Sequence, residues 1–315
     1  MTKKEDHPIS GGKAVVECLK AYNIKYVFGL IGSATMELFD ALYDEKSIKF
    51  IDVRDERTGT HMADAYARAA GRPGVIIAGQ NGPGATNLVT GVAQAKAAFS
   101  PLVSIAGAIA TEHVGKDAFQ EVDQQKLFEP ITKKTFSIKD TGSIVEDLNK
   151  ALNLSTKGKW GPVHVNIPRD VLAGSRNFDT FKIENKIESK KINENDLEKI
   201  ISLIQTSSKP VIICGAGVKN SKTQDQILLL SKNLNIPVVS SAGHGDVISF
   251  NHKLNAGQMG PRGNKVASFL VKESDLILAI GTRLGFNSTF YSYENISKLA
   301  KIVQVDIDPI AIGRY

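Results

Sequence analysis

The 315-residue chain is 42% hydrophobic and 23% charged, a composition that can bury a core and argues against disorder. Its formal charge of +6 does not indicate nucleic-acid binding, because the Lys-rich stretch 181–199 holds five Lys, four Glu and one Asp, which cancel. The amino-terminal "MTKKEDHPISGGK" has no apolar core that could serve as a signal peptide, and no later apolar run approaches the length of a membrane span. Cys18 and Cys214 lie in apolar surroundings, without the spacing of a metal site or a disulfide framework. We therefore expect a cytoplasmic protein with no nucleic-acid or membrane partner.

Short runs rich in β-branched residues alternate with longer helical patterns through the first half of the chain. The pattern predicts helices at 11–22, 35–43, 57–70 and 84–97, and strands at 25–29, 48–53, 74–78 and 101–106. A long loop at 107–124 follows, and the strand "GPVHVNIP" ends near Pro168. Strands joined by helices in this order are typical of a parallel sheet, so we expect an α/β domain at 1–178.

The same alternation starts again after a charged linker at 179–193. Helices are predicted at 194–205, 222–234 and 264–272, and strands within "KPVIICGAG", "IPVVSSAG", "DLILAIGTR" and "KIVQVDIDP". With a second domain at 194–315, the prediction is an α/β fold of two doubly wound parallel-sheet domains.

Four loops of the first domain follow predicted strands: "GLIGSATM", "VRDERTG", "GQNGPGATN" and "GAIATEHVGKDAFQE". Ligands bind at the carboxyl ends of strands in open parallel sheets, so we expect these loops to face one cleft. In "GQNGPGATN", glycines around Pro83 precede a helix start, where backbone N–H groups and the helix dipole can meet a flat ligand. A tight turn without a ligand is the alternative interpretation.

Glu56 follows the second predicted strand and starts a helix. An acid in the first helical turn offsets the helix dipole, and that role alone can account for it. At the end of a central strand, beside a glycine-lined cleft, the same carboxyl group can instead be desolvated and exchange a proton with a ligand. His61 and Asp64 follow at helical spacing without forming a metal-binding signature, so no metal ligand is predicted here.

The motifs "YVFGLIGSATMELFDAL", "VRDERTGTHMADAYARAAGRPGVIIAGQNGPGATNLVTGVAQAKAAFSPLVSIAG", "KDAFQEVDQQKLFEPITKKT" and "GPVHVNIPRDVL" together resemble thiamine-diphosphate-dependent enzymes of the acetolactate synthase group. This group includes sulfoacetaldehyde acetyltransferase. The resemblance implies that the first domain binds the pyrimidine ring of the cofactor and that Glu56 bonds a ring nitrogen. A proton relayed there favours the imino tautomer, which deprotonates the thiazolium; the resulting ylid attacks a keto acid and accepts electrons during decarboxylation.

The resemblance also assigns roles to residues of the other loops. Gly32, Gly84 and Asn87 match cofactor-binding positions of the family, and Gln120 matches the glutamine near the reacting carbon. The Ile and Ser beside Gly32 replace the Pro and second Gly that are usual in acetolactate synthases. These replacements leave the substrate open between acetolactate synthase and its relatives.

The second domain resembles the central domain of the family, which carries flavin in acetolactate synthases. The motifs "GAGV", "GTRLG" and "VDIDP" all end predicted strands. The candidate FAD-binding residues in them are Gly215, Gly217, Gly281, Arg283 and Asp306. Because Asn220 stands where a dinucleotide fingerprint has its third glycine, plain strand-to-helix turns are an equally good interpretation.

Members of this family hold Mg²⁺ and the cofactor diphosphate on a third domain with a Gly-Asp-Gly segment. No such segment occurs before "DIDPIAIGRY", so the resemblance implies metal ligands outside these residues and little activity of this chain alone. The implied partners are further copies, in a homo-dimer or tetramer, and a separate diphosphate-domain or regulatory subunit.

The activity that the resemblance implies is transfer of a two-carbon unit from a 2-keto acid such as pyruvate, as in acetolactate synthase. Two alternatives stay open: sulfoacetaldehyde acetyltransferase, and a non-catalytic partner subunit. Formation of acetolactate from pyruvate alone, or of acetyl phosphate from sulfoacetaldehyde, distinguishes the two enzymes.

Overall fold

The computed structural model describes residues 7–181, 192–292 and 294–314. The chain divides into two compact units, Met1–Ile187 and Glu188–Tyr315, and each is described by itself. Residues 182–191 of the predicted charged linker lie outside the described residues, so the predicted domain bounds stay a prediction. Within the described ranges, no helix is both long enough and apolar enough to cross a membrane.

The first unit is built from helices and strands that alternate along the chain. In chain order they are β1 (Ile9–Ser10), α1 (Gly11–Ala21), β2 (Tyr26–Leu30), α2 (Met36–Asp44), β3 (Lys49–Asp52), α3 (Glu56–Ala70), β4 (Gly74–Ala78), α4 (Pro83–Asn87), α5 (Val89–Ala98), β5 (Leu102–Ala108), α6 (Gln124–Phe128), β6 (Thr135–Ser137), α7 (Ile144–Thr156), β7 (Val163–Pro168), α8 (Arg169–Ala173) and β8 (Ser175–Arg176). A six-stranded sheet has the order β3-β2-β4-β5-β7-β6, and all its neighbours pair in parallel. β1 and β8 form a separate antiparallel pair.

Apolar side chains cover both faces of the six-stranded sheet. In β4, Val75 and Ile77 belong to one core, whereas Ile76 and Ala78 belong to the other, because successive residues of a strand point to opposite faces. The first core is closed by α1, α2 and α7, and the second by α3 and α5. A parallel sheet with helices on both faces confirms the predicted fold class of the first domain.

Side-chain caps mark the first turns of α3 and α1. The Asp55 carboxylate accepts a hydrogen bond from the backbone N–H of Arg57 over 2.7 Å, so α3 starts at Glu56. Ser10 caps α1 in the same way through the N–H of Lys13. The Asp55 cap places Glu56 in the first turn of α3, shortly after β3 ends at Asp52.

The second unit repeats the alternation with a smaller sheet. Its elements are α9 (Glu194–Thr206), β9 (Pro210–Cys214), α10 (Ala216–Asn220), α11 (Gln224–Leu234), β10 (Val238–Ser240), β11 (Asn255–Gln258), α12 (Lys265–Glu273), β12 (Leu276–Ile280), α13 (Phe286–Thr289) and β13 (Lys301–Val305). The five strands pair in parallel in the order β11-β10-β9-β12-β13. Separate apolar cores lie on its two faces, which confirms the predicted doubly wound fold here too.

The structure differs from the predicted elements in short strands and in several helices. Helix α7 and the short helices α6, α8, α10 and α13 lie in segments for which no helix is predicted. The sequence pattern predicts neither β1, β6, β8 nor β11, because runs of two to four residues are too short to show alternation. The helix predicted at 84–97 is divided between α4 and α5. At the division, the N–H of Leu88 bonds the carbonyl of Ala85, three residues back, instead of continuing the α-helical pattern.

Candidate functional site

Hydrogen bonds join the loops at the carboxyl edge of the first sheet. The N–H of Ala34, after β2, donates to the carbonyl of Gly79, after β4, over 3.0 Å. The side chain of Asn81 donates to the carbonyls of Phe119 and Gln120, after β5, each over 3.0 Å. Three of the four predicted loops therefore lie in direct contact at one edge of the sheet.

The fourth loop enters this arrangement through Glu56. The Glu56 side chain is buried, with 4% exposure, and its Oε2 accepts a hydrogen bond from Nδ2 of Asn87 over 2.9 Å. Its Oε1 lies 3.1 Å from the position that a Cβ on Gly84 would take. The first-turn position suits a dipole-offsetting acid, but that role does not require burial or a polar partner.

Gly82 makes the turn that brings the glycine loop against the loop after β5. Its φ of 54° and ψ of −102° lie in a region that residues with a side chain rarely adopt. A Cβ at Gly82 would lie 2.3 Å from the carbonyl oxygen of Gln120. The tight-turn interpretation thus accounts for this glycine, while Gly84 faces the Glu56 carboxylate.

Gly32 lies where the loops after β2 and β4 touch. A Cβ on Gly32 would lie 2.5 Å from the carbonyl carbon and oxygen of Gly79, so the two backbones meet without room for a side chain. This contact places the next residue, Ser33, beside Gln80, and the Ser33 hydroxyl donates to Gln80 Oε1 over 2.9 Å.

Gln120 has a φ of 58°, in the left-handed region that is uncommon for residues with a side chain. Gln80 Nε2 donates to Gln120 Oε1 over 2.8 Å, and Asn81 holds the Gln120 carbonyl. Contacts from the glycine loop thus hold both the backbone and the side chain of Gln120 at the edge of the cleft. An unusual backbone conformation held in this way is common at functional sites.

A buried polar network supports the glycine loop from inside the sheet. Ser104 Oγ lies 2.8 Å from Nδ1 of His164, whose Nε2 lies 2.8 Å from Oδ1 of Asn166. Gln124 Nε2 donates to the same Asn166 oxygen over 2.6 Å, and Gln124 Oε1 accepts from the N–H of Gly82 over 3.1 Å. Burial lowers the pKa of His164 to about 3, so the ring is neutral at pH 7. Because Asn166 Oδ1 can only accept, the ring proton sits on Nε2.

Sequence reasoning did not identify this network. Its signal is in the motif "GPVHVNIP", where His164 and Asn166 occupy alternate positions of an otherwise apolar strand. Alternate positions share one face of a strand, and polar residues on a buried face need hydrogen-bond partners. The stacking of His164 on Phe128, with ring centroids 3.6 Å apart, could not be read from the sequence.

The candidate residues of the second unit lie after three neighbouring strands. Gly215 and Gly217 follow β9, Gly281 and Arg283 follow β12, and Asp306 follows β13. The N–H of Gly217 donates to the carbonyl of Gly281 over 3.0 Å, and each glycine leaves no room for a Cβ on the other. Contact between these two loops accounts for the glycines without a ligand, while Arg283 is exposed at the same edge.

Within the ranges that the structure describes, no three His, Cys, Asp or Glu side chains are grouped so as to hold a metal ion. The polar groups of the cleft are instead one buried carboxylate and several carboxamides, among them Glu56, Asn87 and Gln120. This set suits an exchange of protons and hydrogen bonds with an organic ligand.

Comparison with known proteins gives the same family for both units. Residues 9–127 match the N-terminal TPP binding domain of thiamine pyrophosphate enzymes, and residues 197–315 match the central domain of thiamine pyrophosphate enzymes. These two ranges cover most of both compact units.

Similar curated proteins include two archaeal relatives named probable acetolactate synthase large subunit. The one from Methanococcus aeolicus is 38% identical over 312 residues, which are 97% of this chain and 52% of the relative. The one from Methanocaldococcus jannaschii is 36% identical over 97% of this chain and 52% of its own. The acetolactate synthase large subunit of Lactococcus lactis is 32% identical over 99% of this chain and 54% of its own.

The chain thus spans about half the length of the curated relatives that it matches. The matched half contains both family domains, and the loops with Glu56, Asn87 and Gln120 fall within the first of them. The chain therefore belongs to the thiamine pyrophosphate enzymes and carries their N-terminal and central domains.

Proposed function

We propose that the protein serves a thiamine-diphosphate-dependent transfer of a two-carbon unit from a 2-keto acid such as pyruvate, like an acetolactate synthase. The observation that carries the proposal is the buried Glu56 carboxylate, hydrogen-bonded to Asn87 beside the glycine loop. Burying a carboxylate is costly, and such groups are concentrated at functional sites. The names of the relatives support the same activity.

The groups around Glu56 fit the pyrimidine end of thiamine diphosphate. Since Oε2 accepts the hydrogen bond from Asn87, Oε1 is the oxygen left for a ring nitrogen. Gly84 lies beside Oε1 without a side chain, so a flat ring can approach there. A methyl group at position 84 would occupy the space next to the carboxylate.

Thiamine diphosphate, when bound, supplies a thiazolium carbon that adds to a keto group and accepts the electrons of decarboxylation. With the cofactor bound, Glu56 would exchange a proton at Oε1 with a pyrimidine nitrogen, because a general acid–base group acts on an atom within hydrogen-bonding reach. Asn87 keeps the carboxylate turned for that exchange. Gln120, at the rim of the same cleft, is the residue that we assign to contact with the keto acid.

The proposal includes Mg²⁺ and subunit partners. A divalent metal that binds a diphosphate prefers carboxylate, amide and water oxygens, and the described residues offer no grouped metal ligands. The metal and diphosphate would then be bound by other residues of the full-length gene product or by a partner subunit. We propose a cytoplasmic homo-dimer or tetramer, with a regulatory subunit as a further partner.

FAD is the second cofactor that we propose, on the second unit. Gly215, Gly217, Gly281, Arg283 and Asp306 lie at the carboxyl edge of three adjacent strands, which is where nucleotides bind to open parallel sheets. Purified protein is then expected to be yellow. A colourless preparation that takes up no flavin on titration would contradict this part of the proposal.

The activity is tested with the purified full-length gene product, supplied with thiamine diphosphate, Mg²⁺ and FAD. We expect acetolactate to form from pyruvate alone. Acetyl phosphate from sulfoacetaldehyde and phosphate, without acetolactate, would replace the proposal by the acetyltransferase. Thiamine diphosphate binding without turnover of either substrate would identify a non-catalytic subunit.

A further inference from the structure

The orientation of the Gln120 side chain can be derived from a chain of hydrogen bonds that starts at two backbone carbonyls. Carbonyl oxygens only accept hydrogen bonds. Asn81, which is 6% exposed, must therefore direct its NH₂ group to the carbonyls of Phe119 and Gln120, 3.0 Å away in each case. Its Oδ1 is left on the other side as an acceptor.

That acceptor decides the orientation of Gln80. Gln80 Nε2 lies 3.1 Å from Asn81 Oδ1, so the NH₂ group of Gln80 must face Asn81. The other end of the carboxamide, Oε1, accepts from the Ser33 hydroxyl. Ser33 thus requires an oxygen at one end of the Gln80 carboxamide, and Asn81 requires the NH₂ group at the other end. The two requirements give the same orientation.

Gln80 in turn decides the orientation of Gln120. The same Nε2 of Gln80 donates to Gln120 over 2.8 Å, and the atom that receives this bond must be the oxygen of the Gln120 carboxamide. The Gln120 NH₂ group is consequently turned away from Gln80, and it has no hydrogen-bond partner among the described residues.

We propose that Ser33, Gln80 and Asn81 are positioning residues that keep the Gln120 carboxamide with its NH₂ group directed to the substrate. This inference rests on the proposed function and specifies its ligand contact: Gln120 donates to a carboxylate or keto oxygen of the 2-keto acid. An amide oriented the other way would present an oxygen to that anion and repel it. The orientation therefore selects substrates with an oxygen acceptor next to the reacting carbon.

The substitution Gln80→Glu tests the inference, because a carboxylate replaces the donor by an acceptor of almost the same shape. Gln120 must then turn its NH₂ group toward position 80 and its oxygen toward the substrate. We expect a higher KM for pyruvate, on the order of 10- to 100-fold, as for loss of a hydrogen bond to a charged group. The Kd for thiamine diphosphate should stay unchanged. Gln125→Glu is the matched control, since Gln125 is exposed and its Oε1 accepts a hydrogen bond from the Ser137 hydroxyl, which a carboxylate can also accept.

A double-mutant cycle separates positioning from a general disturbance of the loop. In full-length gene product that carries Gln120→Ala, the further change Gln80→Glu is expected to raise KM for pyruvate by a much smaller factor than it does in the wild-type background. If Gln80→Glu raises KM by the same factor in both backgrounds, its effect does not act through Gln120 and the inference is wrong.

Side-chain amide NMR supplies a readout that needs no turnover. We expect Gln120→Ala to shift the NH₂ resonances of Gln80, and Ser33→Ala to shift them as well, while Gln125→Glu leaves them in place. If the wild-type enzyme is active but the Gln80 resonances respond to neither Gln120→Ala nor Ser33→Ala, the inference is wrong. Wild-type protein that turns over no keto acid would instead contradict the proposed function, together with the substrate contact assigned to Gln120.

Discussion

Nδ2 of Asn87 donates a hydrogen bond to Oε2 of Glu56 over 2.9 Å, across 31 positions of sequence. The contact joins the end of α4 to the first residue of α3, and so ties the glycine loop to the acid of the cleft. One carboxylate oxygen is engaged by Asn87 and the other faces Gly84. Oε1 is therefore the carboxylate oxygen that can bond a ligand.

Glu56→Gln is expected to remove most turnover while leaving the fold intact. Glutamine keeps an oxygen that accepts from Asn87 but cannot exchange a proton, and general acid–base groups contribute on the order of 10²- to 10⁴-fold to rate. The measurements are kcat for acetolactate formation by the full-length gene product and the thermal unfolding temperature. Glu146→Gln is the control, because Glu146 is exposed and pairs with Lys150 on the same helix, α7. Wild-type kcat in Glu56→Gln would remove Glu56 from the mechanism.

Asn87→Ala is expected to weaken cofactor binding more than it weakens folding. Without Asn87, the Glu56 carboxylate loses the partner that orients it, but Asn87 itself is exposed, so little packing is lost. At a given ligand concentration, tighter binding raises the unfolding temperature further. Thermal melts with and without thiamine diphosphate should show a smaller cofactor-induced shift in Asn87→Ala than in wild type. The exposed Asn251→Ala, on the second unit, should keep the full shift.

Acid should destabilise the first unit through His164. Burial lowers the pKa of His164 to about 3 from an ordinary value of 6.5, so below pH 6.5 the unfolded chain binds a proton that the folded chain does not. The stability that this residue contributes is present above pH 6.5 and is lost as the pH falls toward 3. Between pH 7 and pH 5 the loss amounts to about 2 kcal/mol.

Urea unfolding of wild type and His164→Gln at both pH values measures this loss. The variant is expected to be less stable at pH 7, because its neighbours Ser104 and Asn166 lose hydrogen-bond partners. Its free energy of unfolding should nevertheless depend less on pH, by about 2 kcal/mol between pH 7 and pH 5. Equal pH dependence in the two proteins would show that His164 does not carry it.

Lys133 caps the C-terminal end of α7. Its substitution should destabilise the first unit. Its Nζ donates to the carbonyls of Leu154, Lys157 and Lys159 over 2.6, 2.7 and 2.7 Å. Lys133→Met keeps the aliphatic stem and leaves these acceptors without the ammonium, at an expected cost of about 2 kcal/mol. Lys139→Met, at an exposed position, should leave the free energy of unfolding unchanged. Equal unfolding midpoints for the two variants in urea would contradict the prediction.

The fold could be predicted because its central strands are buried on both faces. In β4 and β9 almost every residue is apolar, and such runs, separated by helices, have few alternatives to a parallel sheet. β1 and β8 could not be predicted, since their only signal is a pairing between residues more than 160 positions apart. Local patterns carry no information on such long-range contacts.

The site was predictable only in part, because its side-chain contacts also join residues that are distant in the sequence. Glu56 and the glycine loop follow strands in the sequence, and the topology rule brings such loops together. That Asn87 is the partner of Glu56, and that Gln80 and Asn81 hold Gln120, depends on side-chain directions. Those directions are set by packing between loops, so they become visible only in three dimensions.

The antiparallel pairing of β1 with β8 has a consequence for the way the first unit is connected. Ile9 pairs with Arg176 and Ser10 with Ser175, and the N–H of Gly11 donates to the carbonyl of Gly174 over 2.8 Å. The first and last strands of the described part of the unit therefore lie side by side. A short peptide can join them without stretching the chain, and new ends can then be opened at an exposed turn. The six-stranded sheet is thus compatible with a circularly permuted gene.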